Sequence, residues 1–365
     1  MKKTLTVMAL ILSMSACSTN VETPDTTEAP EDLVPGPTAR AVPLHPDEVH
    51  LANIQQLTFG GENAEAYFSF DNQTIIFQST RDANACDQQY TMNLDGSNLK
   101  MVSTGDGRTT CGYYTADDRI IYASTHLGDP DCPPVPDPSA GYVWPLYRTF
   151  DIFSADPDGG NILRLTDVDG YDAEGTVSPN GDKIVFTSTR DGDLEIYTMN
   201  MDGSDQTRLT FDRGYDGGPF FSPDGEWIVY RASHPTDPEE VAAYDELIAQ
   251  DLVMPDNLEI YVMRADGSEQ QQLTSFGGAN WAPFFHPSGE RIIFASDMDN
   301  QNPRVPNFEL YMIDLDGSDL ERLTFDEAFD GFPIFSPDGS KLLFASNRFA
   351  EDEGNTNVFI ADWVE

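Results

Sequence analysis

The sequence predicts an all-β fold: a ring of six four-stranded sheets, that is a six-bladed β-propeller, carrying one short inserted helix. Three observations carry that prediction. Two turn motifs recur along the 365 residues at matching spacings. The stretches between them read as short strands, four to a unit. A strand-like segment near the N-terminus supplies the one strand that the last unit lacks.

The first motif is a tight turn behind an aromatic or apolar strand. It reads Phe70-Asp71-Asn72, Ala116-Asp117-Asp118, Pro179-Asn180-Gly181, Pro223-Asp224-Gly225, Pro287-Ser288-Gly289 and Pro337-Asp338-Gly339. Pro presets one backbone angle and Gly tolerates the other. Its centres are spaced by 46, 63, 44, 64 and 50 residues. The second motif is an Asp-Gly hairpin at Asp95, Asp158, Asp202, Asp266 and Asp316, spaced by 63, 44, 64 and 50. The two series agree, so the longer repeats hold insertions between fixed elements.

Each unit reads as strands A to D, innermost first. In the third unit, A ends at Pro179-Asn180-Gly181, B is Lys183-Ile184-Val185-Phe186, C is Glu195 to Met199 and D is Gln206 to Thr210. The D strands carry Val102-Ser103, Leu165-Thr166, Leu209-Thr210, Leu273-Thr274 and Leu323-Thr324. The sixth unit stops after its C strand, Val358 to Ala361. The D-like segment Ile54-Gln55-Gln56-Leu57-Thr58 is then expected to close the ring and remove an exposed edge.

Ahead of the ring, Lys2 and Lys3 precede a short apolar run, Leu5 to Met14, and then Ser15-Ala16-Cys17. This resembles a bacterial lipoprotein signal, with Met14 where Leu is usual. The resemblance implies lipidation of Cys17 and, from Ser18 rather than Asp, sorting to the outer membrane. Residues 1–17 are thus read as a signal peptide. Residues 18–44, rich in Thr, Pro, Glu and Asp, are read as a disordered acidic tether, and 45–365 as the propeller.

With 20 Lys+Arg against 63 Asp+Glu the net charge is -43. Such a surface repels phosphate backbones, so no nucleic acid is expected as a partner, and the membrane is met only through the N-terminal lipid. Hydrophobic residues at 39% exclude disorder throughout.

Leu209-Thr210, Phe221-Ser222-Pro223-Asp224-Gly225, Ser188-Thr189-Arg190-Asp191-Gly192 and Glu195-Ile196-Tyr197 resemble the TolB-type β-propeller repeat, over residues 53–363. The resemblance implies a periplasm-facing binding or scaffold protein without a named reaction. TolB carries an N-terminal α/β domain, and only the tether stands in its place here. Related propellers belong to prolyl-oligopeptidase-type peptidases and oligogalacturonate lyases, but this sequence holds no Gly-x-Ser-x-Gly elbow.

In such a ring the B-to-C and D-to-A loops share one face. The long insertions, about 126–148, 234–256, 298–307 and 349–356, all fall in B-to-C loops. Loops on a rigid scaffold usually carry binding. In the blade 4 insertion Asp237 can cap, Pro238 suits the first helical position and Glu240 the reciprocal capping position. Val241, Tyr244, Ile248 and Leu252 recur at helical spacing, so a helix is expected across the face as a partial lid. The blade 2 insertion is rich in Pro and aromatic residues, among them Tyr142, Trp144 and Tyr147. These suit stacking on a sugar or peptide, or packing that holds the loop down.

Two columns of side chains fall on that face. At the starts of the A strands lie Asn63, Thr109, Asp172, Asp216, Asn280 and Asp330, joined two residues on by Glu65 and Glu174. At the ends of the B strands lie Arg81, His126, Arg190, His234, Met298 and Arg348. As ligand-binding groups, the carboxylates and amides could hold Ca²⁺, a polyol or an amino group, with Asp172, Asp216 and Asp330 the metal candidates. Alternatively the Asp and Arg columns pair with each other and set blade register. His126 and His234 break the Arg pattern and are the catalytic or transition-metal candidates.

Three cysteines remain beyond Cys17. A Cys111–Cys132 bridge is expected, with Cys86–Cys111 as its rival. The leading function is a cell-envelope binding or scaffold module for an envelope protein, peptide or glycan, used through the loop-rich face. The alternative is a glycan-active lyase or hydrolase, metal-dependent or not, at the channel mouth.

Overall fold

The computed structural model describes residues 39–81, 84–137, 142–300, 307–352 and 354–365. The signal peptide, Cys17 and most of the expected tether lie outside these residues.

Six four-stranded antiparallel sheets form, each in the order A-B-C-D. Their A strands are Glu62–Phe68, Thr109–Tyr114, Asp172–Val177, Tyr215–Phe221, Asn280–Phe285 and Asp330–Phe335. Ring closure is as expected: Leu51–Gln56 pairs antiparallel with Asn357–Trp363 of blade 6, with Leu51 opposite Trp363 and Gln55 opposite Ile360. The edge is not bare. Arg40–Ala41 adds a fifth strand against Gln55 and Gln56, so the folded part begins before residue 45 and the expected tether ends earlier than 44.

The repeat signature has a physical cause at each point. One aromatic pair bridges strands B and C in every blade: Phe77–Tyr90, Tyr122–Phe153, Phe186–Tyr197, Tyr230–Tyr261, Phe294–Tyr311 and Phe344–Phe359. Their ring centroids lie 5.5 to 6.2 Å apart. The Leu-Thr element of strand D is a clasp. Thr210 Oγ1 accepts the Ile196 N–H at 2.9 Å and donates to Glu195 at 2.6 Å. Thr324 does the same with Leu310 and Glu309. Where the first turn motif has Gly, φ is positive, as at Gly225 (75°). Asn72 (59°) and Asp118 (62°) take that conformation where Gly is missing.

The blade 4 insertion holds the helix, Pro238–Ile248, with Asp237 accepting from the Glu239 N–H. It stops before Leu252, which instead joins the two-residue strand Leu252–Val253. That strand pairs with Trp144–Pro145 of the blade 2 insertion, Val253 opposite Trp144. Two insertions from non-adjacent blades thus meet in a ribbon. Among the described residues no helix is long and apolar enough to cross a membrane.

Candidate ligand site at the channel mouth

Every A strand carries a bulge at the same place, seen as a register shift between Ala64 and Tyr67 in blade 1 and at the equivalent step in the other five. The bulged residues are Glu65, Cys111, Glu174, Gly218, Ala282 and Phe332. All six have φ between 50° and 59°. Five are not glycine, so backbone strain is held at one ring around the axis. These six side positions line a cavity of about 780 Å³.

Blades 1 to 4 supply the polar groups Glu65, Gln78, Cys111, Glu174 and Arg231 together with Tyr67, Tyr171, Tyr215 and Phe220, while blades 5 and 6 supply an aromatic cluster, Trp281, Phe329, Phe332 and Phe308, and one acid, Asp297. The aromatic cluster is mutually packed, with Trp281 at 4.6 Å from Phe332 and 5.4 Å from Phe308 between ring centroids. The roof is the ribbon: Trp144, Pro145, Leu146 and Val253 all face the cavity. Arg231 holds roof to floor, its guanidinium lying 5.3 Å from the Trp144 ring centroid. The expected lid is therefore the ribbon after the helix. The helix is pinned to one side by Tyr244, whose hydroxyl donates to Asp193 and lies 2.7 Å from Gly214 O.

Glu174 and Arg231 form a completed pair. Arg231 Nη2 donates to Glu174 Oε1, and Arg231 Nε donates to the Tyr215 hydroxyl oxygen at 2.8 Å. Glu174 Oε2 accepts from Thr187 at 2.7 Å and from the Gly218 N–H at 2.8 Å. Burial opposes the Arg231 cation, but Glu174 together with Tyr215 and Tyr171 outweighs it and Arg231 stays charged. Glu65 has no such support. Its Oε2 is buried without a hydrogen-bond partner. Burial pushes its carboxyl up to about 7, against a hydrogen bond from the Cys111 thiol.

The first column of expected ligand residues lies elsewhere. Asn63, Asp172, Asp216, Asn280 and Asp330 are at most 1% exposed and none lines the cavity. They are bound within the ring's framework, to strand B of their own blades and, for Asn63 and Asn280, also to the preceding blade. Arg190 Nη2 lies 2.8 and 2.9 Å from the two Asp172 oxygens, and Arg81 Nη2 lies 2.6 Å from Asn63 Oδ1. Ser296 donates to Asn280 at 2.7 Å. Arg348 pairs with Asp330 and, at 3.1 Å, with Glu48, a wholly buried residue ahead of the closing strand. The Arg–Asp columns therefore hold blade register, the structural one of the two readings. Only Glu65 and Glu174 of the expected set reach the cavity.

The two histidines are not brought together in the cavity. His126 Nδ1 sits 2.8 Å from Ser124 Oγ, with its ring 4.3 Å from Phe153, and burial lowers its pKa. His234 takes the Arg place opposite Asp216 at 3.0 Å. Burial lowers its pKa, but the Asp216 hydrogen bond and charge outweigh this and the net shift is upward. Among the described residues no group of three or more His, Cys, Asp or Glu converges as a metal site, so the Asp172, Asp216 and Asp330 set does not assemble one.

Neither expected disulfide is present; Cys86, Cys111 and Cys132 are free. Cys111 faces the cavity beside Glu65, and burial raises its thiol well above the usual range, which keeps it protonated and un-nucleophilic. Cys86 and Cys132 instead interact with each other. Cys86 Sγ donates to Gly107 O at 3.2 Å, and Arg108 Nη2 reaches Cys132 Sγ at 3.8 Å.

Sequence reasoning missed Arg231, Trp281, Phe332 and Glu48. For Arg231 a signal existed: it is a charge inside the apolar B strand Trp227–Ser233. For the aromatic cluster none did, because Phe and Trp in an inner strand read as core.

The family model for the TolB β-propeller domain matches residues 148–245 and 257–363, more than half of the chain. The chain belongs to the TolB β-propeller domain family. No curated protein matches it. Among solved structures, one assigned as TolB from Agrobacterium tumefaciens superposes with a TM-score of 0.55 at 21% identity, covering 84% of this chain and 91% of that one. TolB from Acinetobacter baumannii gives 0.53 at 18% identity, covering 83% of this chain and 64% of that one. A gluconolactonase from Xanthomonas campestris gives 0.56 at 14% identity, covering 91% and 98%. At these identities the likeness is one of fold, and that fold is shared by TolB and by a gluconolactonase.

Proposed function

We propose that this TolB-type propeller is a binding module of the bacterial cell envelope. It takes part of an envelope protein, a peptide or a glycan through its loop-rich face. The observation that carries this reading is the roofed cavity at the channel mouth, built from bulged residues that spend backbone strain on side-chain placement. On this reading Cys17 is lipidated and holds the propeller on the periplasmic side of a membrane, the outer one favoured. The catalytic alternative loses its histidine pair and would rest on Glu65 and Glu174 instead, since Glu65 is the one carboxyl poised near neutrality in the cavity.

The test is recovery of partners from solubilised envelope with the full-length chain. A specific partner should be retained by the wild type and by the exposed turn variant Asp202→Asn. It should be lost at least tenfold with Trp144→Ala, which opens the roof. Equal recovery by all three would overturn the reading.

A further inference from the structure

The chemistry of the same cavity narrows its ligand class, and this step rests on the binding role proposed above. Glu62, Glu65, Glu174, Asp256 and Asp297 line it, against Arg231 as the one Lys or Arg among the lining residues. The Arg231 charge is used up by Glu174, whose second oxygen is satisfied by Thr187 and the Gly218 N–H. Asp297 Oδ1 is likewise taken, by the Ala279 N–H at 2.8 Å. Glu62 and Asp256 are exposed to water, so the buried carboxylate oxygen that remains is Glu65 Oε2, shut away from solvent and without a partner. A buried acceptor left unmade is unfavourable, and the left-handed backbone at Glu65 (φ 52°) adds to it. Blades 5 and 6 line the same cavity with Trp281, Phe329 and Phe332, an apolar and π-rich surface.

We propose that the channel mouth binds an organic ammonium: the charged nitrogen seats on Glu65 and an apolar body lies against Trp281, Phe329 and Phe332. An ammonium supplies the donor that Glu65 Oε2 lacks and the charge that the acidic lining favours. The aromatic faces attract the same cation and bury its hydrocarbon. An anion would meet the surplus of acids. A bare Ca²⁺ wants six or more oxygens, and among the described residues the lining carboxylates do not converge into a metal-holding group. The volume of about 780 Å³ falls in the range of sites for drug-sized molecules.

Phenethylamine and N-acetylphenethylamine are the probes, titrated into the wild-type propeller at pH 8 and followed by the fluorescence of Trp144 and Trp281. The amine should bind at least tenfold more tightly than its acetylated, uncharged form. Glu65→Gln should remove that preference while the variant keeps the wild-type melting temperature. Because the Glu65 carboxyl titrates near 7, amine affinity should fall as the pH drops from 8 to 5.5. Equal affinity for the two probes, no binding of the amine, or an unchanged preference in Glu65→Gln would each overturn the proposal. The probe comparison in the wild type needs no variant to fold. If the amine fails while partner recovery still depends on Trp144, only the ligand class falls; if recovery fails too, so does the binding role.

Discussion

At the start of each innermost strand stand Asn63, Thr109, Asp172, Asp216, Asn280 and Asp330, all buried and all tied into their own blade or the preceding one. Two residues further along the same strands stand Glu65, Cys111, Glu174, Gly218, Ala282 and Phe332, all lining one cavity. The outer ring is nearly uniform in chemistry, short polar side chains throughout. The inner ring is not: two acids, a thiol, a glycine, an alanine and a phenylalanine. Uniformity follows from a job repeated in five of the six blades, which is to receive Ser, Arg or His from strand B and lock register, while Thr109 ties to blade 1 instead. Irregularity follows from a job done once, by the ring as a whole. In a repeat protein the site is to be sought where the repeat is broken.

The sharpest test of this contrast compares Arg348→Ala with Glu65→Gln. Removing Arg348 leaves Asp330 and Glu48 buried without their cation. It should lower stability by about 3–5 kcal/mol in urea unfolding. Glu65→Gln should change it by less than about 0.5 kcal/mol, because the ring it belongs to is not part of the frame. Comparable losses would erase the distinction between the rings.

Next in size is the cysteine map. After oxidation by thiol–disulfide exchange with a small disulfide, peptide mapping should find Cys86 linked to Cys132 and Cys111 free. Reducing that link should then cost about 2–4 kcal/mol. A bridge containing Cys111 would mean that the inner ring is not held as described.

Gly218→Ala gives a smaller effect. A Cβ there would sit 1.9 Å from Arg231 Nη1. Ala282 occupies the same bulge at φ 50°, so the slot itself admits alanine and the penalty comes from displacing Arg231. A loss of about 1–3 kcal/mol is expected, with weaker phenethylamine binding. Full stability with intact binding would show that the Arg231–Glu174 pair does not shape the cavity.

The sequence by itself determined the ring. Turn chemistry at Pro223-Asp224-Gly225 and its counterparts, strand alternation and the unpaired Ile54–Thr58 segment are local signals, each readable within a few residues. It also placed Glu65 and Glu174 on the correct face, because position in the repeat fixes position on the disc. It could not separate the two rings: two residues apart on a regular strand point the same way, and only the bulge turns one inward. The ribbon between Trp144–Pro145 and Leu252–Val253, the Arg231–Glu174 pair and the Arg348–Glu48 pair join residues 57 to 300 positions apart. Their pairing depends on which blades become neighbours around the axis and which loops lean over it. Backbone propensity carries no such information, so the strands and turns were written locally, while the site and the Arg348–Glu48 tie of the frame were decided only when the ring closed.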